Sequence, residues 1–244
     1  MIHIEQLSRV FGDKQAVDRL SIHVGPGEIL GLLGPNGAGK TTTLKICAGM
    51  LHPSKGTVRI DGMDVPARPL DARQAIGYAP EDASLFEALT AEEYLRLVAD
   101  LRHLDPEESL VAIGGWLRRF GLTGEDRHAR LSTASKGTKQ KIVLIQALLH
   151  EPKVLLLDEP LSGLDPQAAR ILKDLLVEIA ATGTAIIYSS HILDVVERIC
   201  TRVGILHHGR LLADGAPGDL VDRGEDRSLE RLFLRLTGAR NQES

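Results

Sequence analysis

Two hydrophobic periods divide the chain. Ile2 and Ile4 alternate with polar neighbours, as do Leu20, Ile22 and Val24, and a period of two predicts half-buried strands within residues 1 to 24. His23 falls on the polar face of that alternation, which predicts an exposed strand residue and not a ligand. Glu28-Ile29-Leu30-Gly31-Leu32-Leu33 is an apolar run short enough to be a buried strand. A turn at Pro53-Ser54-Lys55-Gly56 leads into Thr57-Val58-Arg59-Ile60 and a second turn at Asp61-Gly62. These early strands predict a small antiparallel sheet. Residues 64 to 75, with Pro66 and Pro69, read as irregular. Ile76-Gly77-Tyr78-Ala79 reads as a strand that runs into a loop at Pro80-Glu81-Asp82.

The period then changes to that of helices. Thr90 and Glu93 have the spacing of a capping box, Leu89 and Tyr94 that of a hydrophobic staple, and Tyr94, Val98 and Leu101 continue one apolar face. Asp105-Pro106 starts a second helix, with proline at the first helical position. Gly114-Gly115 falls inside it at about 1 kcal/mol per glycine, so a break or a close backbone contact is expected there. Gly121 is the expected stop. Residues of about 84 to 134 are therefore predicted as a mostly helical insert.

From about residue 137 strands and helices alternate. Ile142, Ile145 and Leu149 mark a helix face, and Val154-Leu155-Leu156-Leu157 reads as a strand with both faces covered. Asp165-Pro166 starts a helix carrying Leu172, Leu175, Leu176 and Ile179. Ala185-Ile186-Ile187-Tyr188 reads as a strand, with Leu193, Val196 and Cys200 on the next helix. Val203 to Leu206, a turn at His208-Gly209 and Leu211-Leu212 suggest a closing hairpin, with His207 and His208 solvated. Leu229, Leu232, Phe233 and Leu236 give a last amphipathic helix, whose short face predicts docking on the core or a partner and not on a membrane. The alternation is the signature of an α/β fold.

Composition narrows the classes. The chain has 244 residues, enough for a full core without disulfides. Its 29 basic and 33 acidic residues give a net charge of −4, against a nucleic-acid backbone binder. Cys47 and Cys200 lie in apolar contexts without metal-ligand spacing, which predicts buried free thiols in a reducing compartment. Met1-Ile2-His3-Ile4-Glu5 reads as a strand start and not as a signal peptide. No apolar run approaches the roughly 18 residues of a membrane span.

The chemistry gathers at three places. Gly34-Pro35-Asn36-Gly37-Ala38-Gly39-Lys40-Thr41-Thr42 fits G-x-x-x-x-G-K-[ST] between a strand and a helix pattern of about Thr41 to Ala48. Its glycines let successive N–H groups turn inward onto phosphate oxygens. Lys40 adds a charge for the β- and γ-phosphates, and the Thr41 hydroxyl is placed for Mg²⁺. Val154 to Glu159 is a Walker B pattern, an apolar strand delivering two acids at its carboxyl end, where open α/β sheets bind ligands. Asp158 suits Mg²⁺, through water, and Glu159 suits the polarisation of an attacking water. Ser189-Ser190-His191 ends the next strand, and His191 there can reach the γ-phosphate side and Glu159.

With these residues in place the chain resembles an ABC-type ATPase, the nucleotide-binding subunit of an ABC transporter, over nearly its whole length. Phe11-Gly12 corresponds to the aromatic loop that stacks on adenine, with Phe where the family usually has Tyr. Glu81 stands at the Q-loop position, where Gln is usual and some export-type members have Glu. Ser135-Lys136-Gly137-Thr138-Lys139-Gln140-Lys141 resembles the signature motif in its S-K-G form. Ala134 and Thr138 depart from the family's preferences, and Leu131-Ser132 would put Thr133 and Ala134 where glycine is wanted. Leu161-Ser162-Gly163-Leu164-Asp165 matches the D-loop and His191 the switch histidine.

The resemblance implies a P-loop NTPase (RecA-like) core with an antiparallel β subdomain, over 1–83 and 135–220, a helical subdomain over 84–134 and a C-terminal helix or tail over 221–244. It implies an ATPase using ATP and Mg²⁺. Glu159, His191 and Glu81 would be catalytic, and Thr41, Asp158 and Glu81 would serve the metal. Phe11, Gly34 to Thr42, Ser135, Lys136, Gly137 and Asp165 would bind nucleotide, with Ser135 and Gly137 acting on the ATP of a second subunit packed head to tail, as homodimer or heterodimer. The helical insert would couple to an integral-membrane permease, placing the protein in the cytoplasm on the inner face of the cell membrane. The S-K-G signature, Glu81 and the terminal helix resemble export systems. A soluble ABC-type ATPase acting on nucleic acid or ribosomes is the second reading, and it lacks the coiled-coil insert, second cassette or basic arm usual there. A GTPase or small-molecule kinase is the third. It lacks an N-K-x-D guanine motif and leaves the signature and His191 without a role.

Overall fold

The alternating N-terminus forms β1 (Ile2–Phe11) and β2 (Lys14–Val24), an antiparallel pair with Ile2 opposite Val24 and Ile4 opposite Ile22. The structure is a computed structural model and describes residues 1–82, 84–222 and 228–238. Ile2, Ile4, Leu20, Ile22 and Val24 are buried, and His23 is exposed with its ring 4.3 Å from that of His3. The apolar run becomes β3 (Ile29–Leu33), followed by the P-loop and α1 (Lys40–Cys47). β4 (Lys55–Ile60) pairs antiparallel with β1 on the side away from β2, and β5 (Met63–Asp64) pairs with β4. Residues 64 to 75 are not irregular throughout, because α2 (Pro69–Gln74) forms before β6 (Ile76–Ala79). Pro69 sits at the first helical position, where its fixed φ suits the turn and its missing N–H costs nothing. Six residues are too few to show a period, and Ala72 alone is buried.

The next stretch is helical. α3 (Ala91–Leu101) carries the expected capping box: Thr90 Oγ1 accepts from Glu93 N at 3.2 Å, and Glu93 Oε2 accepts from Thr90 N at 2.9 Å. α4 (Pro106–Arg119) is capped by Asp105 and runs through Gly114-Gly115 without a break. Nor is there close contact: a Cβ on Gly114 would meet only Arg118 Nη1 at 3.5 Å, and one on Gly115 nothing within 4 Å. Burial of Ile113, Leu117 and Phe120 on one face, with a capped start, outweighs the weak helix propensity of the two glycines. α5 (Glu125–His128) and a 3₁₀ turn at Leu131–Thr133 lead back, and Leu131 N donates to Leu89 O at 2.8 Å, so the chain re-enters beside its point of exit.

α6 (Lys136–Leu148), β7 (Val154–Asp158), α7 (Pro166–Ala181), β8 (Ala185–Ser190) and α8 (Leu193–Ile199) follow the predicted alternation, with Cys200 capping α8. β9 (Arg202–His207) and β10 (Arg210–Gly215) form the hairpin. α9 (Pro217–Asp222), a short helix without an apolar period, was not anticipated. α10 (Leu229–Thr237) buries Leu229 and Leu232 in the cluster that also holds Val195, Val196 and Ile199 of α8. Of the expected tail, residues 223–227 and 239–244 lie outside the described residues.

The strands form two sheets. One is antiparallel in the order β2-β1-β4-β5; the other, in the order β10-β9-β3-β8-β7-β6, is parallel except for β10. One face of the parallel sheet, with Leu30, Leu32, Leu156 and Ile187, packs on α1 and the antiparallel sheet. The other, with Leu33, Leu155, Leu157 and Ile186, packs on the helices. Both cysteines are buried free thiols, and burial pushes each up to about 12. The carboxyl ends of β3, β7 and β8 are adjacent, and they carry the P-loop, Asp158 and Ser190.

Candidate functional site

The P-loop backbone is shaped by two glycines. Gly39, which precedes α1, has φ 107°, and a Cβ on it would lie 2.5 Å from Ala16 O. A Cβ on Gly34 would lie 2.4 Å from Leu206 O. No side chain caps the start of α1, so the N–H groups of its first turn remain available for an anion. Lys40 is almost fully buried. Its Nζ donates to Gly34 O at 2.6 Å and lies 3.4 Å from Glu159 Oε1.

The acids meet this loop from β7. Asp158 and Glu159 are 1% and 8% exposed, a depth at which carboxylates need partners. Ser189 Oγ donates to Asp158 Oδ1 at 2.6 Å. Asp158 Oδ2 is buried and accepts no hydrogen bond among the described residues. Glu159 has φ 47°, a left-handed conformation rare for a residue with a side chain and typical of strained functional positions. Its N–H is held by Ser189 O at 3.3 Å and Ser189 Oγ at 3.2 Å. His191 Nδ1 lies 2.9 Å from Glu159 Oε2. A carboxylate only accepts, so Nδ1 carries the hydrogen.

A cavity of about 320 Å³ is lined by Phe11, Lys14, Ala16, the loop from Pro35 to Thr42, Glu81 and Glu159. Phe11 is half exposed at its rim, with the Arg9 guanidinium 4.5 Å from the ring centroid, a cation–π distance. A second cavity of about 630 Å³ is lined by Thr41, Tyr78, Glu81 and Asp158, with Lys45, Arg73 and Arg102 beyond. Glu81 belongs to both. Tyr78 is raised by burial and then by the charge of Asp158.

Ser135, Lys136, Gly137 and Asp165 are not among the lining of the P-loop cavity. Ser135 caps α6 by accepting from Thr138 N at 3.0 Å. Asp165 caps α7 by accepting from Ala168 N at 2.8 Å. A hydrogen bond from Lys141, 2.8 Å away, and then that backbone N–H hold the Asp165 carboxyl below its ordinary range. The two helix starts are neighbours, since a Cβ on Gly137 would come within 2.7 Å of Gly163 O.

The donor set fits a nucleotide with its cation. A buried lysine, an uncapped helix start and a glycine cradle suit phosphate. Asp158 and Thr41 line one cavity, and Asp158 Oδ2 accepts no hydrogen bond among the described residues. Two oxygen donors beside a phosphate cradle suit Mg²⁺, which is usually held by one or two protein groups together with phosphate oxygens. Sequence reasoning missed Ser189 and Arg9. The signal for Ser189 was a hydroxyl in an apolar strand, and its meaning depends on which residue lies opposite it.

The chain is similar to known proteins in sequence and in fold. A family model described as ABC transporter matches residues 17–162, more than half of the chain. Nod factor export ATP-binding protein I of Burkholderia pseudomallei (strain K96243) is 38% identical over 221 residues, covering 91% of this chain and 72% of that protein. The ABC transporter ATP-binding protein YhaQ of Bacillus subtilis is 36% identical over 217 residues, 88% of this chain and 71% of that protein. A solved ATP-binding subunit of an ABC transporter superposes with a TM-score of 0.90 at 36% identity, over 97% of this chain and 99% of its own. The dimeric ABC transporter cassette MJ0796, 23% identical, shares the fold with a TM-score of 0.80 over 88% of this chain and 98% of its own.

Proposed function

The chain belongs to the ABC transporter family, and on that premise we propose that ATP held at its P-loop is hydrolysed with Glu159 as the base. It is an ATP-binding subunit whose ATPase activity drives transport. Lys40 and the N–H groups of Gly37 and of Gly39 to Thr42 take the phosphates, the Ala38 N–H being held by Pro35 O at 3.1 Å, and Phe11 stacks on adenine. Thr41 and Asp158, with Glu81 at the junction of the two cavities, would hold Mg²⁺, which supplies positive charge beside the β- and γ-phosphate oxygens. Glu159 takes a proton from the attacking water as the water oxygen bonds to the γ-phosphorus and the bond to the ADP oxygen breaks.

The observation that carries this reading is how Glu159 is held. One oxygen is fixed by His191 at 2.9 Å, while the other is buried near Lys40 without a hydrogen bond among the described residues. Such a carboxylate is oriented and has one oxygen left to act. Glu159→Gln keeps the shape and removes the base, so it should bind ATP, hydrolyse it about 10²-fold or more slowly and accumulate as an ATP-bound dimer on gel filtration. A variant turning over ATP at the wild-type rate would remove Glu159 from the role.

The site is completed by a second subunit packed head to tail, whose Ser135, Lys136, Gly137 and Asp165 reach the γ-phosphate across the interface. Their position off the P-loop cavity of their own chain supports this. No helix among the described residues is long and apolar enough to cross a membrane. Transport runs through a separate integral-membrane permease, with the protein on the inner face of the membrane and residues 84–134 as the coupling unit between core segments 1–83 and 135–220. The names of the Nod factor export relatives support export as the direction.

A further inference from the structure

β8 reads Ala-Ile-Ile-Tyr-Ser-Ser, and all six residues are buried. Burying two hydroxyls at the end of an apolar strand is costly unless both are hydrogen-bonded. Ser190 Oγ is used locally, accepting from Ile192 N at 2.9 Å as the chain leaves the strand. Ser189 is used across the sheet. In the parallel register it lies opposite Asp158, and its side chain is 0% exposed. A serine hydroxyl has one hydrogen and two lone pairs. The hydrogen goes to Asp158 Oδ1 at 2.6 Å, and a lone pair takes the Glu159 N–H at 3.2 Å. One oxygen atom thus touches both members of the acidic pair.

We propose that Ser189 is a positioning residue for the divalent cation that accompanies the nucleotide. Its bond to Oδ1 fixes the rotation of the Asp158 carboxylate and leaves Oδ2, which has no hydrogen-bond partner among the described residues, for the cation or its water. Its bond to the Glu159 amide steadies a residue whose φ of 47° is unfavourable. Without the hydroxyl, Asp158 has two unpartnered oxygens and is free to turn, and the Glu159 amide keeps only the 3.3 Å bond to Ser189 O. Hydrogen-bond partners that orient a metal ligand in this way carry about 10–100-fold of metal affinity. The inference rests on the reading of Asp158 as serving a nucleotide-bound cation.

The test compares Ser189→Thr with Ser189→Val. The two side chains have the same shape and differ in the hydroxyl alone. Mn²⁺ replaces Mg²⁺, a non-hydrolysable ATP analogue saturates the P-loop, and free Mn²⁺ is counted by electron paramagnetic resonance. Ser189→Thr should bind Mn²⁺ close to wild type and Ser189→Val about 10-fold or more weakly, with analogue affinity in the absence of metal alike in both. Equal Mn²⁺ affinity in the two variants overturns the proposal, since a hydroxyl present only to satisfy itself would not move this readout. Ser189→Ala, which adds no bulk, decides the same question against wild type if Ser189→Val does not fold. Wild-type protein that binds the analogue but takes up no Mn²⁺ would instead overturn the reading of Asp158 beneath it.

Discussion

The imidazole of His191 holds Glu159 from the protein surface. Nδ1 lies 2.9 Å from Oε2, and the His191 side chain is 63% exposed while that of Glu159 is 10% exposed. An exposed group thus orients a buried one, and the Nε2 edge of the ring remains available to a ligand or a second subunit. His191→Ala removes the orienting bond without touching the P-loop. ATP hydrolysis should fall by roughly 10²-fold, while ATP affinity stays within a few-fold of wild type in a nucleotide titration. His191→Gln, which keeps a donor, should recover part of the rate, and an alanine variant at full rate would deny His191 this function.

Ser135 and Lys40 belong to different halves of the proposed composite site, which makes them a complementation pair. Lys40→Ala removes a buried cation from the P-loop and should weaken ATP binding by about 10-fold or more, the scale of a lost charge-assisted hydrogen bond. Ser135→Ala should leave binding to its own P-loop intact and slow hydrolysis. Each variant alone should be nearly inactive. Mixed, they form dimers in which one site has an intact P-loop from one chain and an intact Ser135 from the other. Activity should therefore reappear on mixing in a steady-state assay, and a mixture no better than its components would argue against the head-to-tail arrangement.

The parts of this site that were legible in the sequence are those made by contiguous residues. The P-loop carries its own glycines and lysine in one stretch, and Val154 to Glu159 carries an apolar strand and its acids together. The strands of the parallel sheet were legible because burial on both faces needs unbroken apolar runs such as Val154 to Leu157. The contact of Ser189 with Asp158 was not legible, because it depends on the register between β8 and β7, and a shift of one residue would break it. α2 was hidden by its length. The continuity of α4 was hidden because helix propensity was weighed at Gly114 and Gly115 without the burial of Ile113 and Leu117 beside them.

That misjudged pair of glycines can be used. A Cβ at Gly115 would meet nothing within 4 Å, and its backbone is helical. Gly115→Ala should stabilise the protein by about 0.5–1 kcal/mol, by narrowing the unfolded ensemble and favouring the helix. For a chain of this size that is a rise of roughly 1–4 °C in melting temperature. ATPase activity should not change, as α4 lies outside both cavities at this point. A lowered melting temperature would show that a side chain is not accommodated at this position of α4.

His150 gives a pH dependence whose direction follows from its surroundings. Burial first, and then the charge of Arg102, push it down from 6.5 to about 4. Arg102 donates to Ile76 O at 3.3 Å, and His150 Nε2 lies 3.0 Å from the same oxygen. A carbonyl only accepts, so the neutral ring carries its hydrogen on Nε2, and Nδ1 is buried without a partner among the described residues. Protonation would place a second cation beside Arg102 and an unsatisfied N–H at Nδ1. The unfolded chain takes up that proton near its ordinary value and the folded one only near 4, so the unfolded state binds more protons between them. Stability from keeping the ring neutral is therefore complete above about pH 6.5 and lost as the pH falls toward 4. Between pH 7 and pH 5 the loss is on the order of 2 kcal/mol, less where solvent reaches the ring. Urea denaturation of wild type and His150→Gln at those two pH values separates this group from the other titrating residues. Glutamine can still donate to Ile76 O but does not titrate, so the variant should lose less stability on acidification. Parallel losses in the two proteins would exclude His150 as the source.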